Sequence, residues 1–108
     1  MELNSTEDRL SKWEIVDKEL NRAKKIHSEY PQNMYVQLAI LQEEVGEVTK
    51  AVLDFHDNKD SLVHIQEELV QTAAMCMRMI EALPFPIENT YYVGRWITPN
   101  KVEIEVIS

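Results

Sequence analysis

From residue 10 to residue 83 the apolar positions recur at steps of three and four, the spacing that gathers side chains on one side of an α-helix. Leu10, Trp13, Val16, Leu20, Ala23 and Ile26 form the first stripe. Ser5, Thr6, Glu7 and Asp8 precede it with side-chain oxygens suited to the unpaired amides of a helix start. A first helix is predicted from there to about His27, with Tyr30-Pro31 closing it, because the residue before proline is driven out of helical backbone.

A second helix is predicted to begin between Pro31 and Tyr35. Met34, Leu38, Leu41, Val45, Val48, Val52 and Phe55 then alternate steps of four and three, a heptad-like seam of the kind that joins helices in bundles. Residues 57–61 read as a polar turn, with Asp60 or Ser61 placed to cap the next helix. The third helix carries Leu62, Ile65, Leu69, Thr72, Cys76, Met79 and Leu83 on a similar seam. Val63, Val70, Ala73, Ala74, Met75, Met77 and Ile80 widen its apolar face until Pro84 and Pro86 stop it. A helix apolar over so much of its circumference must be surrounded, and two companions are too few. Another subunit is expected to complete the cover.

The tail follows a different period. Val102, Ile104 and Val106 alternate with Glu103 and Glu105, upstream residues 91–97 are rich in aromatic and branched side chains, and Thr98-Pro99-Asn100-Lys101 is a turn signal. The expected fold is all-α: an antiparallel bundle of three main helices completed by oligomerisation, with a C-terminal β-hairpin-like tail. Residues 1–84 form the helical domain. Residues 85–108 form an extension expected to dock on the bundle or on a neighbouring subunit, since an isolated hairpin is marginal in water.

Composition narrows the choice of function. The 108 residues suit one domain. A net charge of −8 disfavours nucleic-acid polymers and anionic membranes, though a small phosphorylated ligand can still bind through a bridging cation. The single cysteine, Cys76, rules out an internal disulfide and reads as a buried thiol. With no leader signature and no apolar stretch of bilayer length, a cytoplasmic protein is expected.

Two acidic groups carry the candidate chemistry: Glu43, Glu44 and Glu47 on the second helix, and Glu67, Glu68 and Gln71 on the third. Residues three apart share a helix face, so Glu44 with Glu47, and Glu68 with Gln71, each direct two oxygen-bearing side chains to one place. Both pairs border the apolar seams, and antiparallel packing brings the borders together. Carboxylates that converge in a half-buried groove repel one another and lose hydration, which a divalent cation relieves. Oxygen donors favour magnesium or manganese over zinc. Gly46, inside this helix, costs about 1 kcal/mol relative to alanine, and suits either close approach of a ligand or helix, or a tolerated surface position.

Glu43-Glu44-Val45-Gly46-Glu47 followed by Glu67-Glu68-Leu69-Val70-Gln71 resembles the MazG-like family of all-α nucleotide pyrophosphohydrolases, whose pattern is Glu-Glu-x-x-Glu, a spacer, then Glu-x-x-Asp. The resemblance covers residues 18 to 83, and Gln71 stands where the family has its last Asp, as in a branch carrying that replacement. It implies cleavage of a nucleoside triphosphate to a monophosphate and pyrophosphate. Glu44, Glu47, Glu68 and Gln71 fall at the positions of the Mg2+ (or Mn2+) ligands, and Glu43 and Glu44 are the candidate catalytic carboxylates. Arg78 and Lys50 are candidate contacts for the phosphate chain, and the working form is expected to be a homodimer or homotetramer. Phosphoribosyl-ATP hydrolysis is a related activity on the same architecture. A helical module that binds a nucleotide or partner without turnover is the contrasting expectation, because Gln71 removes one negative charge.

The histidines add less. His56-Asp57 sits in a turn and lacks the further histidines of a metal-dependent dyad, while His64, one turn before Glu68, reads as an exposed or capping residue.

Overall fold

The computed structural model describes residues 5–83 with their side chains, and the backbone of 92–98 and 101–106. Three helices make up the body of the chain: α1 (Ser5–Ile26), α2 (Met34–His56) and α3 (Leu62–Ala82). Glu7 and Asp8 in the first turn of α1, and Lys24 and Lys25 in its last, each oppose the partial charge at that end of the helix. At the start of α2 the Asn33 side chain accepts from the amides of Tyr35 at 2.9 Å and Val36 at 3.3 Å. Asn58, at φ 59°, turns the chain after α2 in the left-handed conformation that asparagine tolerates. Ser61 holds the N-cap of α3 through its extended backbone, without a side-chain capping bond.

α3 is the middle helix. It packs against both α1 and α2, whereas α1 and α2 make no close backbone approach to each other. The turn over residues 57–61 folds α3 back along α2, and α1 is tied alongside α3 by Lys24 Nζ to Glu81 Oε2 at 2.5 Å. Beyond the helices, β1 (Tyr92–Thr98) and β2 (Lys101–Val106) pair antiparallel, from Tyr92 opposite Val106 to Thr98 opposite Lys101. The Pro84 and Pro86 stop, the Pro99-Asn100 turn and the surface expected to receive the tail lie outside the described residues.

The packing face of α2 differs from the seam expected from the sequence. Gln37 and Ala51 are buried, with Ile40, Leu41, Glu44 and Val48 half-buried between them. Leu38, Val45, Val52 and Phe55 instead stay exposed, Val45 at 47%. On α3 the buried residues are Glu68, Ala74 and Arg78, while Leu69 is 50% exposed and Cys76, expected inside, is exposed as well. The reason is geometric. Within one chain the helices meet where small residues, Ala51 and Ala74, permit close contact, and this turns the larger seam residues outward. Leu20, Ala51 and Ala74 are the only buried hydrophobic residues among those described.

Candidate metal centre

The α2–α3 packing face is also where the carboxylates meet. Glu44 and Glu47, one turn apart on α2, and Glu68 on α3 each place a carboxylate oxygen within 4.8 Å of the other two, close enough to share one cation. Glu68 is 8% exposed, Glu44 half-buried and Glu47 at the open side. Oε2 of Glu44 and Oε2 of Glu68 are buried without a hydrogen-bond partner. An orphaned buried carboxylate oxygen is costly, and two such atoms beside a third carboxylate form a donor set that a hard cation satisfies.

The electrostatics follow from this crowding. Burial, then the charges of Glu47, Glu68, Glu19 and Glu43, push the Glu44 carboxyl above the ordinary glutamate range. Glu47 is pushed the same way, first by the close approach of the Glu68 carboxyl and then by that residue's charge. Carboxylates this close repel one another, so the cluster draws in positive charge as either a proton or a cation.

The other residues singled out from the sequence have distinct places. Glu43 is exposed beside Glu44 and adds its charge to both Glu44 and Glu47. Gln71 is half-buried and, with Glu19, Glu67, Val16 and Val70, lines a mainly apolar groove of about 540 Å3 between α1 and α3. Lys50 is exposed and turned towards Asp54 at 3.4 Å. Arg78 is 7% exposed; its Nη2 donates to the carbonyl oxygen of His27, and its guanidinium lies 4.8 Å from the centre of the Tyr30 ring. Gln37 is buried, its Nε2 donating to the carbonyl of Pro31 at 2.8 Å, so its amide holds the entry to α2.

Two residues join the site that sequence reasoning did not place there. Glu19 of α1 bears on Glu44 through its charge and is itself held by Arg22, at 2.8 Å and 2.5 Å. The signal for it was its place next to Leu20, the only buried residue of α1. His64 lies between Asp60 and Glu68, with Nε2 3.0 Å from Glu68 Oε1 and Nδ1 in short contact with Asp60 Oδ2. His64 and Glu68 lie one turn apart on the same face of α3, and Asp60 reaches His64 from the turn that precedes the helix.

Among the described residues no helix is long and apolar enough to cross a membrane. Comparison with protein-family models, with curated proteins and with solved structures returned no match for this chain.

Proposed function

We propose that the chain is a Mg2+-dependent nucleoside triphosphate pyrophosphohydrolase of the cytoplasm, converting an NTP or dNTP to the monophosphate and pyrophosphate. The observation that carries this reading is the convergence of Glu44, Glu47 and Glu68 with two of their oxygens buried and unpartnered. It is supported by the Glu43-Glu44-x-x-Glu47 and Glu67-Glu68-x-x-Gln71 pattern, which resembles the MazG-like family. When bound, Mg2+ supplies neutralisation of phosphate charge and polarisation of water. Glu44, Glu47 and Glu68 hold it, and Gln71 is proposed to turn its carbonyl oxygen from the groove towards it. Glu43, next to this set and in contact with solvent, takes the proton of the water that attacks phosphorus as the bond to pyrophosphate breaks. Manganese suits the same donors.

The working form is proposed as a homodimer or homotetramer. Leu38, Val45 and Val52 on α2, with Leu62 and Leu69 on α3, form exposed apolar rows at heptad spacing, and a second copy offers the surface to cover them. The extension 85–108 is proposed to dock on the bundle or on a neighbouring subunit.

The test is release of pyrophosphate from a panel of ribo- and deoxyribonucleoside triphosphates and phosphoribosyl-ATP with Mg2+. Turnover that Glu44→Gln or Glu47→Gln abolishes is the expected result. Turnover of phosphoribosyl-ATP alone reassigns the substrate. A second reading, a module that binds a nucleotide or partner without catalysis, is favoured by the neutral Gln71. Mg2+-independent nucleotide binding with no pyrophosphate released supports it.

A further inference from the structure

We infer that His64 is a positioning residue for the metal centre: pinned by Asp60, it holds one oxygen of the Glu68 carboxylate so that the other stays directed at the cation. This rests on the metal-site reading above and adds to it a residue that contacts neither cation nor substrate.

Three observations carry it. His64 meets a different carboxylate with each ring nitrogen, Oδ2 of Asp60 at Nδ1 and Oε1 of Glu68 at Nε2, 3.0 Å away. Of the Glu68 oxygens, the one His64 engages is partnered and the other, Oε2, is buried and unpartnered, so the side chain is divided between a held atom and a free one. Asp60 precedes α3 and also accepts from the Ser61 amide at 2.8 Å, which fixes the far end of the chain of contacts to the backbone of the turn.

Those contacts also exclude a simpler role. A histidine ligates a metal through an unshared pair on one ring nitrogen, and here both nitrogens face carboxylate oxygens instead. What the ring can do is restrict Glu68, whose side chain otherwise turns about three bonds and must adopt one orientation to serve a cation shared with α2. Partners of this kind, which orient a ligand without touching the metal, typically change metal affinity by about 10- to 100-fold when removed.

The experiment is Mn2+ binding to the full chain, measured by calorimetry and by the electron paramagnetic resonance signal of the bound ion. Wild type, Glu68→Gln, His64→Leu and His64→Gln are compared. His64→Leu is expected to weaken Mn2+ by about 10-fold or more and to broaden the signal of the bound ion, while His64→Gln, which keeps an N–H donor for Glu68, stays within about threefold of wild type. If His64→Leu binds Mn2+ as tightly as wild type, or His64→Gln binds as poorly as His64→Leu, the inference is overturned. Should His64→Leu fail to fold by circular dichroism, Asp60→Ala takes its place, with a loss of about threefold expected and an unchanged affinity overturning the inference. A wild-type chain that binds no Mn2+, or a Glu68→Gln variant that binds normally, removes the metal-site reading itself, an outcome distinct from the failure of His64 alone.

Discussion

Arg78 in α3 donates from Nη2 to the carbonyl oxygen of His27, the residue that follows the last turn of α1, so the end of one helix is closed by a side chain from another. The same guanidinium lies 4.8 Å from the centre of the Tyr30 ring. Burial pushes the Tyr30 hydroxyl above the ordinary tyrosine range, and the Arg78 charge opposes that push. A buried arginine committed in this way holds the α1–α2 connection on α3. Arg78→Met keeps the apolar bulk and removes both interactions, and is expected to destabilise the chain by about 2–3 kcal/mol in urea unfolding. A normal unfolding midpoint combined with a large rise in KM for nucleotide would instead return Arg78 to phosphate binding.

The acidic cluster makes metal-free stability depend on pH in a definite direction. Glu44 and Glu47 have their carboxyl groups raised in the folded chain, so the folded state binds more protons than the unfolded one above the ordinary glutamate range. Their contribution is fully present below the unfolded value and is lost as pH rises through the folded one. His64 is raised by its bonds to Asp60 and Glu68, and its contribution is likewise lost at higher pH. Asp60 is lowered by His64 and the Ser61 amide, so its contribution is lost only as pH falls through its folded value, in more acidic solution. In chelator, the melting temperature is therefore expected to fall from weakly acidic to alkaline pH. Glu44→Gln should flatten the early part of that fall, and Mg2+ should raise the neutral-pH value for wild type more than for the variant. A melting temperature that climbs steadily with pH in chelator contradicts this assignment of charge.

Gly46 gives a sharp test of what lies beyond α2. A methyl group built on it meets nothing within 4 Å, and the residue is exposed. Gly46→Ala should then stabilise the chain by about 1 kcal/mol, the usual difference between the two residues inside a helix. A loss of stability would place another surface in van der Waals contact with that turn, and repeating the unfolding at several protein concentrations would identify it as a second copy.

How far the sequence predicts this structure differs from one feature to the next. Helix limits were legible because local chemistry sets them: Tyr30-Pro31 punctuates the end of α1, and the polar run at 57–61 breaks the apolar period between α2 and α3. The approach of Glu44 and Glu47 to Glu68 was legible for a related reason, since three-residue spacing fixes a shared face before any packing is known. Which face each helix buries was not. The row Leu38, Val45 and Val52 is more apolar than the row Gln37, Glu44 and Ala51, yet the second is the one covered within the chain, because Ala51 allows close approach and Gln37 satisfies its amide on Pro31. The bearing of Glu19 on Glu44 and the bond from Arg78 to His27 were not legible on the same ground, as each acts across a helix pair whose relative placement no periodicity encodes.

The outward seam leads to the last prediction. Val45 and Leu69 are about half exposed, on the two helices that also supply the carboxylates, and neither takes part in the metal centre. If a second copy covers these rows, a charge at either position is buried without a partner on association and costs several kcal/mol per interface. Val45→Glu and Leu69→Glu should thus shift the protein from dimer or tetramer to monomer by light scattering, while leaving the helical circular dichroism signal of a dissociated chain in place. The exposed Lys50→Glu serves as a control for added negative charge, because it changes the same helix away from the apolar row. Should Val45→Glu and Leu69→Glu keep the size of wild type, the seam is not the contact between copies. The apolar rows of α2 and α3 would then need another cover, and the extension 85–108 is the first segment to test, by deleting it and measuring whether the chain aggregates.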